Sequence, residues 1–85
     1  EWIFLNERDE VCEGTITNVF VQNGDRLLTP PLTSGLLPGV LRAELLETGR
    51  AVEAVLTLPD LERAEAIFCG NALRGLIKST LSLAE

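Results

Sequence analysis

The sequence predicts an α+β unit of mainly antiparallel strands with two short helices. Three observations carry that prediction. Segments rich in Val, Ile, Thr and Phe fill the first thirty residues and recur near the C-terminal end, each bounded by turn residues. Only two stretches carry helical spacing or helix start signals. The chain has 85 residues, 46% of them hydrophobic, which is enough apolar side chain for one core, so all these segments must share it.

Residues 2–5 are a short apolar run, and Asn6-Glu7-Arg8-Asp9-Glu10 is a polar turn, so a hairpin joins this run to the next. Residues 11–22 read as one strand. Alternation along it puts Thr15, Thr17, Val19 and Val21 on one face and Ile16, Asn18 and Phe20 on the other. Asn23-Gly24-Asp25 turns the chain into a returning strand over residues 26–29, and Pro30-Pro31 ends regular pairing. A loop through Gly35 leads to the best helix candidate, residues 40–48. There Leu41 and Leu45 stand four apart, as do Arg42 and Leu46, while Glu44 and Thr48 face solvent and Gly49 suits a C-terminal cap. Residues 51–56 alternate as a strand does. Pro59 opens a brief acidic helix over residues 60–64, proline being favoured in a first turn. Residues 66–69 form another strand, Gly70-Asn71-Ala72 a tight bend and residues 73–78 the return, with no firm signal over residues 79–85.

Composition excludes several functions. Thirteen acidic residues against seven basic ones give a net charge of -6. The basic residues stand singly along the chain and offer phosphate backbones little to grip, so no nucleic acid is expected as a partner. No apolar run is long enough to span a bilayer, and the N-terminal stretch has neither the basic flank nor the cleavage site of a signal peptide. The expected location is the cytoplasm, with no membrane partner. The absence of histidine removes triads that use an imidazole base and most zinc sites, so no metal is expected. Cys12 and Cys69 are too few for a disulfide scaffold and too far apart for a CxxC motif; two buried thiols are expected. With no methionine in the chain and a strand-like run beginning at Trp2, the sequence is expected to be part of a longer protein.

Three local arrangements could carry chemistry. Glu13 lies within a run of Val, Ile, Thr and Phe, where a carboxylate is costly to bury unless a cation or a proton donor meets it. It is either an edge-strand carboxylate facing water, slightly favoured on the residues alone, or the partner of a protonated ring nitrogen or basic side chain. Leu36-Leu37-Pro38-Gly39-Val40-Leu41-Arg42 passes from a loop into a helix, and such a junction presents unpaired N–H groups at the positive end of the helix dipole. Most helices begin this way without binding anything, and neither a Walker loop nor GxGxxG is present. Small residues in Cys69-Gly70-Asn71-Ala72 allow close approach by a ligand, and Asn71 offers an amide, although for the segment by itself a tight turn is favoured.

Taken in order, Glu13-Gly14-Thr15-Ile16-Thr17-Asn18-Val19-Phe20, Leu28-Thr29-Pro30-Pro31 and Leu37-Pro38-Gly39-Val40-Leu41-Arg42 resemble the signature of the class IV aminotransferases, the fold-type IV pyridoxal-phosphate enzymes. That family includes branched-chain aminotransferase, D-amino-acid aminotransferase and 4-amino-4-deoxychorismate lyase. The resemblance spans residues 2–78, and Cys69-Gly70-Asn71-Ala72-Leu73 looks most like the lyase branch. It implies that residues 1–85 are the C-terminal part of the larger, cofactor-binding domain, that pyridoxal 5'-phosphate is the cofactor, and that the complete protein is a homodimer acting on a small amino substrate in folate synthesis.

The resemblance also implies roles. Glu13 matches the carboxylate that keeps the cofactor's pyridine nitrogen protonated, Leu37 the residue packed on the ring face, and the N–H groups of Val40 and Leu41 those that bind the phosphate. Asn71 and Ala72 match the bend near the phosphate and the substrate carboxylate. Arg42 is expected to make a structural pair. Position 41 departs from the family, which commonly has threonine there; Leu41 keeps the backbone donor but forgoes a hydroxyl contact of about 0.5–3 kcal/mol. Family members form a Schiff base through a lysine upstream of the strand bearing the glutamate. Lys78, the chain's only lysine, matches no such position and is expected to be a solvated surface residue, so no catalytic residue is assigned within the chain. By itself the chain is therefore expected to be inactive. The alternatives to a lyase are transamination of branched-chain or D-amino acids, and a non-catalytic role in binding or assembly.

Overall fold

Strand β1 (Ile3–Leu5) and strand β2 (Val11–Gly14) pair antiparallel as a two-stranded ribbon around the polar turn. The computed structural model describes residues 2–14 and 17–79. Within the turn, Asn6 Oδ1 accepts from the N–H groups of Arg8 at 2.8 Å and Glu10 at 3.0 Å. Asp9 takes φ +59, the left-handed conformation that a short polar side chain tolerates.

The single strand expected over residues 11–22 is two strands in different sheets. Gly14, the last residue of β2, donates its N–H to Thr17 O at 2.8 Å, just before the second strand begins. Strand β3 (Asn18–Asn23) then becomes the centre of a five-stranded sheet. Thr15 and Ile16 lie outside the described residues and Thr17 precedes the strand; within β3, Val19 and Val21 pack on one face and Phe20 on the other, as the alternation predicts. A two-residue loop, with Gly24 at φ +65, returns the chain as β4 (Arg26–Thr29).

From β4 the chain must reach a strand parallel to it, which requires a crossover. A 3₁₀ turn (Leu32–Ser34), the loop through residue 39 and helix α1 (Val40–Glu47) supply the crossover, and β5 (Ala51–Glu53) pairs parallel with β4. Thr48 closes α1 by donating its N–H to Glu44 O at 3.0 Å, and Gly49 follows at φ +78 as expected. β5 is shorter than the expected 51–56. Leu56 O instead accepts from Val11 N at 2.6 Å, and Thr57 bridges Glu10, so residues 54–57 leave the large sheet to meet β2.

Helix α2 (Leu58–Arg63) starts two residues before its expected position, because Thr57 forms a capping box with Asp60. Asp60 Oδ2 accepts from Thr57 N at 2.8 Å and from Thr57 Oγ1 at 2.9 Å, and these two bonds hold its carboxyl below the ordinary aspartate range. Strand β6 (Ile67–Asn71) pairs antiparallel with β3 and with β7 (Gly75–Ser79). The bend expected at residues 70–72 falls at residues 72–74. Gly70 belongs to the ladder, opposite Asn18 on one side and Leu76 on the other. Of the uncertain stretch 79–85, only Ser79 is among the described residues.

The sheet order β5-β4-β3-β6-β7 gives β3 a fully covered position. On one face Val19, Val21, Ile67 and Cys69 pack with Val11, Leu56 and Leu61 of α2. On the other, Phe20 meets Leu45 of α1 and Ala51, flanked by Leu41, Phe68 and Leu76. Burying an apolar side chain contributes about 1.5–3 kcal/mol, and β3 supplies both layers. Both cysteines are buried free thiols, as expected. Burial is the main cause raising the Cys12 pKa, and its Sγ donates to Ser34 O at 3.1 Å. Among the described residues no helix is long and apolar enough to cross a membrane.

Candidate cofactor site

The loop over residues 36–39 is fastened to the ends of β2 and β3 by side chains reaching across. Glu13, half-buried on β2, accepts from Leu37 N through Oε1 at 2.9 Å. Asn18, only 5% exposed at the start of β3, donates from Nδ2 to Leu37 O at 3.1 Å and accepts through Oδ1 from Gly39 N at 3.2 Å. Both backbone polar groups of Leu37 are thereby held, yet its side chain is 78% exposed. An isolated exposed leucine needs no explanation; one whose backbone is pinned at both ends beside a carboxylate is a presented apolar surface.

Gly39 is also the N-cap of α1, which has no side-chain cap and no acidic residue in its first turn. The first N–H to close onto the helix is that of Ala43, donating to Gly39 O at 3.1 Å. The N–H groups of Val40, Leu41 and Arg42 precede that ladder and face the positive end of the dipole. Leu41 is half-buried, and its side chain packs toward Phe20 and over Gly70. A Cβ added at Gly70 would lie 2.7 Å from Gly75 O and 3.0 Å from Leu41 Cδ2. The leucine that replaces the family's usual threonine therefore seats α1 on β6.

This contact brings the two distant parts of the predicted site to one end of the sheet. Glu13, Leu37, Val40 and Leu41 lie on one continuous arrangement, and Asn71 and Ala72 follow Gly70 at the same end. Asn71 Oδ1 accepts from Arg74 N at 2.8 Å, and Ala72 is exposed in the turn. Arg42 makes the structural pair expected of it: 4% exposed, it reaches Glu53 Oε2 at 2.5 Å and Pro30 O at 3.1 Å. Lys78 is exposed on β7. Alternation in the sequence puts Asn18 on a strand face and gives it no role. The available signal was a lone amide in a Val-Phe-Val strand, a polar group that must find partners when buried.

A second network holds the loop from its other end. Glu10 Oε1 accepts from Asn6 Nδ2 at 2.9 Å, Ser34 Oγ at 3.2 Å and Arg8 Nε at 3.3 Å, while Arg8 Nη2 donates to Thr33 O at 3.0 Å. The bonds that Glu10 accepts, the one from Asn6 first, hold its carboxyl below its ordinary value. A lowered folded pKa contributes stability above the ordinary glutamate range that is lost as pH falls through the folded value. Acidification is therefore expected to loosen residues 32–35. Hydrogen exchange at Ser34 N–H, followed from neutral pH down through the carboxylate range, should show that loss in the wild type and a smaller pH dependence in Glu10→Gln. Equal pH dependence in both would contradict the assignment.

Comparison with known proteins identifies the family and the fold. The sequence profile of the amino-transferase class IV family matches residues 1–80. A crystal structure from Mesorhizobium loti, provisionally described as an amino-acid aminotransferase, superposes with a TM-score of 0.91 at 58% identity, covering 94% of this chain and 39% of that one. The aminodeoxychorismate lyase of Bacillus subtilis is 42% identical over 52 residues, 61% of this chain and 18% of the lyase. The branched-chain amino acid aminotransferase of Thermobaculum terrenum, solved in its PLP form, has a TM-score of 0.80 at 27% identity, covering 89% of this chain and 27% of that one. The chain thus spans 18% to 39% of the length of these relatives. Lyase and aminotransferase both occur among them, and the family implies pyridoxal phosphate. With its profile matched over residues 1–80 and its sheet and helices superposing on solved members, the chain belongs to the class IV aminotransferases, the fold-type IV enzymes.

Proposed function

We propose that this chain forms the pyridoxal-phosphate-facing wall of a class IV enzyme and that the whole protein acts as a 4-amino-4-deoxychorismate lyase. The observation that carries the cofactor reading is the bonding of Glu13 Oε1 to Leu37 N at 2.9 Å, which sets a carboxylate, an exposed leucine and an uncapped helix start in sequence. That donor and acceptor set fits a ligand with a protonated ring nitrogen, a flat apolar face and a phosphate. When bound, pyridoxal phosphate supplies an electron sink for bond breaking at the amine-bearing carbon of the substrate.

The residues then divide the work. Glu13 holds a proton on the ring nitrogen; a carboxylate offers about four lone-pair positions, so accepting one N–H from Leu37 leaves room for another donor. Leu37 covers the ring and excludes water from that side. Val40 and Leu41 donate backbone N–H groups to the phosphate at the positive end of α1. Asn71 and Ala72 border the phosphate and the substrate carboxylate. The whole protein is proposed to work as a cytoplasmic homodimer in folate synthesis.

The lyase reading rests on the motif around Cys69-Gly70-Asn71-Ala72-Leu73 and the similarity to the Bacillus subtilis lyase. A second reading, transamination of branched-chain or D-amino acids, is supported by the 58% identity to the Mesorhizobium loti amino-acid aminotransferase and the similarity to the branched-chain aminotransferase of Thermobaculum terrenum. Assay of the whole protein separates the two. Release of pyruvate and 4-aminobenzoate from 4-amino-4-deoxychorismate is the expected result, and a product that requires 2-oxoglutarate would overturn the lyase assignment.

A further inference from the structure

A ligand that touches Leu37 with its ring and the start of α1 with its phosphate demands a fixed separation between those two elements. Only one side chain among those described bonds to both ends of the intervening segment. Asn18 donates to Leu37 O at 3.1 Å and accepts from Gly39 N at 3.2 Å, so a single amide bridges the residue beneath the ring and the N-cap of the phosphate helix. Few side chains do this. The group must donate from one atom and accept at another within one short planar unit, which asparagine does; an ionised aspartate lacks the donor, serine has a single polar atom and leucine none.

The amide is itself held by rigid surroundings. Asn18 stands opposite Gly70 in the β3–β6 ladder, two residues before fully buried Phe20. Gly39 supplies an independent sign of the same arrangement. Its backbone, φ −95 and ψ 164, is open to any residue, so conformation does not require glycine there. Space does: a Cβ at position 39 would lie 2.8 Å from Asn18 Oδ1. Glycine at 39 and asparagine at 18 are thus two halves of one close contact.

We propose that Asn18 is a positioning residue for the cofactor, fixing the distance between the ring-covering Leu37 and the phosphate-binding N-terminus of α1. This role rests on the cofactor reading above. Asn18→Asp preserves volume and the acceptor for Gly39 N, but sets a charged oxygen against Leu37 O in place of a donor. Asn18→Ala removes both bonds and vacates the space that forbids a Cβ at Gly39.

The test is pyridoxal phosphate binding by the whole protein, followed by cofactor absorbance, with hydrogen exchange at Gly39 N–H as a readout that needs no cofactor. N18D and N18A are expected to fold with wild-type circular dichroism, to weaken binding about tenfold or more, and, in N18A, to expose Gly39 N–H to fast exchange. Gly39→Ala is expected to weaken binding in the wild-type background and to add little in N18A, because the offending oxygen is then gone. A purely structural asparagine would lower stability without changing the affinity of the folded protein or coupling to Gly39. If both position-18 variants fail to fold, Gly39→Ala with wild-type affinity overturns the proposal. Wild-type protein that takes up no cofactor overturns the cofactor reading and this role with it. Wild-type uptake matched by unchanged uptake in N18D overturns the role of Asn18 alone.

Discussion

Replacing Glu13 with glutamine in the whole protein is expected to lower kcat by about 10²–10⁴-fold while leaving the loop over residues 36–39 in place. Glutamine keeps the size of the side chain and an oxygen able to accept from Leu37 N, the bond that Glu13 makes at 2.9 Å. What it lacks is the negative charge that favours a proton on the facing ring nitrogen. Glu13→Ala removes both the charge and the bond, so it is expected to lower cofactor affinity as well as kcat. Steady-state kinetics and cofactor titration on the two variants separate these effects. A kcat for Glu13→Gln within a few-fold of wild type would reduce Glu13 to an anchor for the loop.

The largest stability loss is expected at Phe20. Truncation to alanine should cost about 3–5 kcal/mol, because the side chain is fully buried and large. The loss extends beyond β3. Phe20, beside Ala51 of β5, is a contact through which Leu45 of α1 rests on the sheet, so a cavity there loosens the seat of the helix whose first turn faces the proposed phosphate. Urea denaturation of the whole protein measures the cost. Leu73→Ala, at a side chain 91% exposed in the β6–β7 turn, is the matched control and should fall within about 0.5 kcal/mol of wild type. A change below about 1 kcal/mol for Phe20→Ala would mean that the sheet and α1 do not share the packing described.

Local signals in the sequence were sufficient wherever neighbours in the chain decide the structure. The polar turn at residues 6–10, the hairpin at Gly24-Asp25, the helix from Val40 and the Gly49 cap all follow from residues within a few positions of one another. Elements settled by distant partners were read less well. Residues 11–22 have the composition of one strand, and only the pairing of β2 with β1 and of β3 with β4 and β6 divides them at Gly14. In the same way β5 ends early because Leu56 O is taken by Val11 N, and the bend after β6 falls later because Gly70 fits against Gly75 O.

The predicted site shows the same division. Glu13, Leu37, Val40 and Leu41 were legible as motif positions and as a carboxylate, an apolar residue and a helix start. Asn18 was not, because its role lies in two bonds across nineteen and twenty-one residues of chain, and no spacing rule reports those. Leu41 looked like a lost phosphate contact until its packing over Gly70 gave the apolar side chain a purpose of its own.

The measurement that bears most directly on the cofactor site is a crystal structure of the whole protein with pyridoxal phosphate bound. The predicted result has the ring nitrogen within hydrogen-bond distance of a Glu13 carboxylate oxygen, Leu37 against the ring, and phosphate oxygens on the N–H groups of Val40 and Leu41. A cofactor seated elsewhere, with Glu13 turned to solvent and the start of α1 in contact with protein alone, would contradict it.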